Sequence, residues 1–203
     1  MRLLPFQIPS NVLDQFKMTG KVVAISGAGA GIGFAVAEAM AEAGANVAIL
    51  YNSNKEAIQK AADLAQRTGT KVQAYQCGVT SYEAVESTVS TIVKDFGRLD
   101  VFVANSGVAY SGPLIDEPIE EWKRVVDVNY NGVAYCAKAA GKVFRDQGKG
   151  NMIITASMSG SIVNLNPQAG YNSSKAAVIH LARSLAQEWA PFARVSVSRG
   201  AWK

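Results

Sequence analysis

Along this chain of 203 residues, short apolar runs alternate with longer stretches in which apolar residues recur every three or four positions. Val22, Val23, Ala24 and Ile25 form a continuous apolar run that meets glycines at once, which predicts a buried strand entering a tight turn. The Ala-rich stretch 34–43 reads as a helix, and Gly44 stands where it would stop. The same alternation repeats. Strands are predicted over 46–51, 71–76, 99–104, 151–156 and 194–198, and helices over 54–68, 82–96, 117–144 and 169–189. Ala57, Ile58, Ala61 and Leu64 mark the apolar face of the second helix. Residues 1–20 lack clear periodicity apart from a short amphipathic turn at 12–16, and are read as an arm lying on a single domain of residues 21–203.

Strands alternating with helices imply an α/β fold: a doubly wound, Rossmann-like parallel sheet in three α/β/α layers. In such a sheet the ligand crevice lies outside the carboxyl ends of the strands. The loops 26–33, 51–55, 105–107 and 157–160 all fall at those ends. The first of them reads Ser26-Gly27-Ala28-Gly29-Ala30-Gly31-Ile32-Gly33. A strand, a glycine turn and a helix N-terminus together make an anion site, because unpaired backbone N–H groups and the positive end of the helix dipole converge there. Gly27 permits the turn, Gly31 lets the backbone approach a pyrophosphate, and Gly33 lets helix and strand pack closely. Gly29 and Ile32 complete this candidate dinucleotide cradle.

Composition narrows the picture. About half of the residues are hydrophobic, 49%, enough to bury a substantial core. No apolar run approaches the ~20 residues that span a bilayer, and the opening residues lack a signal-peptide core, so the expectation is a cytoplasmic protein without a membrane partner. The net charge of +4 comes from scattered basic residues rather than a block, which argues against nucleic-acid binding. Cys77 and Cys136 have no metal-ligand spacing and read as packed thiols, and no metal site is expected. His180, the only histidine, lies too far along its helix to join Tyr171, and Trp122, Trp189 and Trp202 read as packing residues.

With Tyr171-Asn172-Ser173-Ser174-Lys175 added to the glycine turn, the sequence resembles the short-chain dehydrogenase/reductase family, whose marks are Thr-Gly-x3-Gly-x-Gly and Tyr-x3-Lys. Tyr171 and Lys175 are four apart, so on a helix they share one face. The pairing makes chemical sense, since an ordinary phenol is a poor acid or base at neutral pH and a nearby ammonium favours the phenolate. The resemblance implies Tyr171 as acid/base, Lys175 as its electrostatic partner, Ser157 as the hydrogen-bond donor to the substrate oxygen, and Asn129 as support for a proton relay. Ser159 is the nearest substitute for Ser157. The segments at 51–55 and 157–164, with Pro167-Gln168, further resemble fungal NADP-dependent mannitol dehydrogenases and sorbose reductases, which interconvert ketoses and polyols.

The sequence after the second strand, Tyr51-Asn52-Ser53-Asn54-Lys55, holds no carboxylate to repel a 2′-phosphate. Asn52 and Ser53 can donate hydrogen bonds and Lys55 adds charge, so NADP(H) is the expected cofactor. Val79, through its backbone, and Asn105 are the remaining candidate nucleotide contacts, beside Tyr171 and Lys175. The chain also departs from the family pattern: Gly78 follows Cys77 where the family has an aspartate, and Ala104-Asn105-Ser106-Gly107 replaces Asn-Asn-Ala-Gly. Beyond the sixth strand the family continues with a Pro-Gly turn, a substrate loop and a last strand, whereas this chain reads Arg199-Gly200-Ala201-Trp202-Lys203. Against that pattern the domain reads as carboxyl-terminally incomplete, with a strand edge and apolar surface left open.

The function expected is an NADPH-dependent carbonyl reductase acting on a small-molecule ketone/alcohol pair such as fructose/mannitol or sorbose/sorbitol. Two alternatives stand beside it: a catalytically impaired nucleotide- or partner-binding subunit, and a reductase of a secondary-metabolite ketone. The resemblance also implies a homo-oligomer, dimer or tetramer, built on the helices over 117–144 and 169–189.

Overall fold

In a computed structural model describing residues 11–199, the six strands are β1 (Val22–Ser26), β2 (Asn46–Tyr51), β3 (Val72–Gln76), β4 (Val101–Ala104), β5 (Asn151–Thr155) and β6 (Arg194–Ser198). They form one parallel sheet in the order β3-β2-β1-β4-β5-β6. The chain reverses direction across the sheet between β1 and β4, and that switch point opens the crevice in which open α/β sheets bind ligands.

The helices are α1 (Gly31–Glu42), α2 (Glu56–Thr68), α3 (Tyr82–Phe96), α4 (Ile119–Val126), α5 (Gly132–Gln147) and α6 (Ala169–Glu188). Successive strand residues face opposite sides of a sheet, so β1 feeds two cores. Val23 and Ile25 pack with Ile49, Val103 and the alanines of α1 and α2. Val22 and Ala24 pack with Phe102, Met152 and the apolar stripes of α3, α5 and α6. Each large side chain buried this way contributes about 1.5–3 kcal/mol. The inner strands β1, β2 and β4 are almost wholly apolar because both faces are covered.

The stretch expected as one helix over 117–144 is two helices joined by a π-helical turn, Asp127–Asn131. Such a turn inserts a single residue into the helical ladder, a shift too small to be read from so short a stretch of sequence. Gly132 opens α5 against the β3–α3 loop, where a Cβ would come within 2.8 Å of the Val79 side chain. α1 begins at Gly31, three residues before the expected start; Gly31 itself, at φ +57°, is the left-handed residue through which the turn enters the helix.

The short turn at Val12–Phe16 is a 3-10 helix whose apolar side chains are exposed. The rest of the arm, 1–10, and the ending with Trp202 lie outside the described residues. β6 forms one sheet edge with alternating exposed positions. Among the described residues no helix is long and apolar enough to cross a membrane.

Candidate active site

A cleft of ≈ 1210 Å³ runs along the carboxyl ends of β1, β4 and β5. It exceeds the roughly 300–1,000 Å³ of clefts for single drug-sized ligands, so it can hold a large nucleotide and a substrate together. At one end stand Gly27, Ile32 and Gly33 of the glycine turn. Ala30 precedes α1 and offers no side-chain cap, so the first-turn N–H groups are left for a ligand. Gly31 has φ +57° and nothing within 4 Å of a built Cβ. Gly33 has no such room, since a Cβ would lie 2.5 Å from the Gly27 carbonyl oxygen and 2.6 Å from Asn105 Nδ2. The cradle therefore fits a pyrophosphate: bare donors, an open approach and a closely packed helix behind them.

A second strand of contacts fixes the cradle to β4. The buried Ser26 hydroxyl accepts hydrogen bonds from the N–H groups of Asn105 (3.0 Å) and Ser106 (3.1 Å). Asn105 Nδ2 returns bonds to the Ser26 and Gly27 carbonyl oxygens at 3.2 and 3.3 Å. Beyond them, Asn52, Cys77, Gly78 and Val79 form the wall at the ends of β2 and β3.

At the other end of the cleft are Ser157, just past β5, and Tyr171 and Lys175 on α6. Lys175 is 2% exposed, and its Nζ donates to the Thr155 carbonyl oxygen at 2.8 Å while lying 5.7 Å from the centre of the Tyr171 ring. No carboxylate faces it, and burial alone lowers its pKa to about 8. Ser157 opens a short 3-10 turn, and its hydroxyl accepts from the Ser159 N–H at 3.1 Å, which leaves its own proton free to donate into the cleft. Ser159 also lines the cleft, but its hydroxyl accepts from Asn164 Nδ2 at 2.6 Å.

Asn129 sits in the π turn with no exposed surface. Its Oδ1 accepts from the Val108 N–H at 2.8 Å, and its Nδ2 donates to the Val108 carbonyl at 2.8 Å and to Ser174 Oγ at 3.0 Å. The side chain thus clamps the loop after β4 to α6 between Tyr171 and Lys175. Insertions of this kind in a helix recur at functional sites.

A family model described as short chain dehydrogenase matches residues 21–199. The chain belongs to the short-chain dehydrogenase family. It is 53% identical over 197 residues to a probable NADP-dependent mannitol dehydrogenase of Yarrowia lipolytica, a match covering 94% of this chain and 70% of that protein. It is likewise 53% identical over 199 residues to a sorbose reductase of Candida albicans, covering 96% of this chain and 70% of that one. The crystal structure of an NADPH-dependent 3-quinuclidinone reductase from Rhodotorula rubra superposes with a TM-score of 0.92 at 47% identity, covering 97% of this chain and 74% of that one. The resemblance read from the glycine turn and Tyr171-x3-Lys175 is borne out, and the chain is an oxidoreductase.

Most residues expected at this dehydrogenase site meet at the cleft, but not all in the same way. Gly27, Ile32, Gly33, Asn52, Val79, Asn105, Ser157, Tyr171 and Lys175 line it. Gly29 instead faces α2, its carbonyl accepting from Asn54 Nδ2 and Lys60 Nζ, both at 3.3 Å. Gly31 lies at the rim, while Ser53 and Lys55 lie exposed beyond the cleft lining and Asn129 lies behind it. His180 is exposed on α6, and Trp189 packs over Gly141.

Sequence reasoning passed over Ser26, whose signal was a polar residue closing an otherwise apolar strand. It also passed over the Thr155 carbonyl, a backbone atom that leaves no trace in residue identity.

Proposed function

We propose that this dehydrogenase is an NADPH-dependent carbonyl reductase that interconverts a ketose and its polyol. The observation that carries the reading is the convergence of Tyr171, Lys175 and Ser157 on one cleft in which Lys175 is the only charged side chain among the described lining residues. Bound NADPH supplies the hydride. Tyr171 protonates the substrate oxygen during reduction and takes the proton back during oxidation. Ser157 donates a hydrogen bond to the same oxygen and stabilises the charge that develops there. Lys175, held by Thr155, places a cation beside the Tyr171 ring. Asn129 holds the Val108 loop and α6 in register.

The NADP(H) preference is supported by the relative named NADP-dependent and by the absence of any carboxylate over 52–55, which leaves the 2′-phosphate unopposed. The ketose assignment is supported by the relatives named mannitol dehydrogenase and sorbose reductase. A second reading, reduction of a non-sugar ketone, is favoured by the structural relative named for 3-quinuclidinone and by the part-exposed apolar Met158 in the cleft lining.

A panel of ketoses and bicyclic ketones, assayed with NADPH and NADH by nicotinamide absorbance, separates these readings. Faster turnover of ketoses with NADPH is the expected result. Turnover confined to bicyclic ketones selects the second reading, and a preference for NADH overturns the cofactor assignment.

A further inference from the structure

One wall of the cleft plays no part in the chemistry above. The connection from the turn at Ser157 to α6 reads Ser161-Ile162-Val163-Asn164-Leu165-Asn166-Pro167-Gln168. Asn164, Asn166 and Gln168, spaced by two, all line the cleft that holds Tyr171. Val163 and Leu165, on either side of Asn164, are 89% and 103% exposed. The three carboxamides thus fall on the cleft side of an irregular connection, while the apolar side chains flanking the first of them are left exposed. The stretch is anchored, because the Pro167 carbonyl accepts from the Gly112 N–H at 2.9 Å and so ties it to the loop after β4.

Asparagine and glutamine are common in connections because their side chains bond nearby backbone and stabilise turns. These three do not act in that way. Asn164 Nδ2 donates to Ser159 Oγ at 2.6 Å and Gln168 Nε2 to Asn172 Oδ1 at 3.0 Å. The Asn166 amide has no hydrogen-bond partner among the described residues, and the Asn164 and Gln168 amide oxygens are likewise unengaged there. Each amide therefore offers groups to a ligand.

The chemistry of the wall defines the ligand. A charged substrate would find no opposite charge apart from Lys175, which belongs to the reacting end of the cleft. A carboxamide both donates and accepts, and so does a hydroxyl, so the two match one for one. We propose that Asn164, Asn166 and Gln168 form a carboxamide ladder that binds the hydroxyl groups of a neutral, polyhydroxylated open chain whose carbonyl lies at Tyr171. The ladder rests on the carbonyl-reductase reading and gives it a cause of specificity. A site built to bond hydroxyls discriminates strongly against an analogue that lacks them, because its own polar groups are then left unpaired.

The test compares a ketopentose with 2-pentanone, which has the same carbon count and no hydroxyls, using the 203-residue chain and NADPH. Calorimetric titration with a pentitol supplies a readout that needs no turnover. Asn166→Ala and Gln168→Ala are expected to lower the ketopentose/2-pentanone ratio of kcat/KM by about tenfold each, and to weaken pentitol binding in step. Leu165→Ala, on the outward side, is expected to leave that ratio alone. Asn164→Ala also frees Ser159, so Asn166, which has no partner to lose, is the deciding position.

Equal losses on both ketones, or no loss on either, overturn the ladder. An unaltered chain that reduces 2-pentanone as readily as the ketopentose overturns the ladder and leaves the reductase standing. Reduction of neither ketone overturns both.

Discussion

Lys175 Nζ donates to the Thr155 carbonyl oxygen across 2.8 Å, joining α6 to the end of β5 at a point where no carboxylate is available. A lysine buried without a counter-ion costs the fold stability at neutral pH. Its pKa is lowered to about 8 from an ordinary 10.5, and both forms of the protein carry the proton below 8, so the penalty is fully present there. As pH rises through 8 the folded lysine releases its proton while the unfolded one keeps it, and the penalty fades toward 10.5. A shift of this size corresponds to about 3 kcal/mol, partly offset by the bond to Thr155. Lys175→Met is therefore expected to raise stability at neutral pH by about 1–3 kcal/mol, and to lose that advantage in alkaline buffer, while reductase activity is lost. Urea unfolding of both proteins at two pH values checks this. A variant less stable than the parent at neutral pH would mean that the hydrogen bond outweighs the buried charge.

Asn129 is a second place where stability and the site are tied. Three hydrogen bonds vanish in Asn129→Ala, and two backbone groups of Val108 lose their partner. A loss of about 2–4 kcal/mol is expected. Asn129→Asp is expected to fare no better, because a carboxylate can accept from the Val108 N–H but cannot donate to its carbonyl. Denaturant midpoints decide the matter; a change under ~0.5 kcal/mol in either variant would show that the clamp contributes little.

The two glycines of the cradle predict different failures. Gly33→Ala places a Cβ 2.5 Å from the Gly27 carbonyl oxygen and 2.8 Å from Ala28 Cα, so backbone must move. Stability is expected to drop by about 1–3 kcal/mol, with NADPH affinity falling too. Gly31→Ala meets open space but forces a side chain onto φ +57°, a cost of about 1–2 kcal/mol. Its Cβ would stand where a pyrophosphate approaches, so the affinity loss should exceed the stability loss. Fluorescence titration with NADPH beside thermal unfolding separates the two patterns, and equal affinity in parent and Gly31→Ala would remove Gly31 from the cradle.

Much of this was written in local sequence. The inner strands β1, β2 and β4 are apolar on both faces because helices cover both, which made each a continuous run that is easily read, whereas the outer β3 and β6 alternate. The glycine turn and the Tyr171–Lys175 spacing carry their geometry in residue identity. What escaped was non-local or lay outside any period. The π turn around Asn129 shifts the helix by a single residue, too little to stand out in the sequence between the two helices it joins. Gly29 faces α2 rather than the cleft because Asn54 and Lys60 reach its carbonyl, a contact between elements that no single stretch foretells. Asn164, Asn166 and Gln168 lie in an irregular connection, where carboxamides are easily mistaken for ordinary turn composition.

The most direct test of the whole account is a ketose reduction assay on Tyr171→Phe beside the parent, with NADPH binding measured on both. The account predicts that the phenylalanine variant binds NADPH as the parent does and reduces the ketose at least about 100-fold more slowly, since the proton donor alone is gone. A variant that keeps the parent's rate would contradict it, because the cleft's central residue would then have no part in the chemistry.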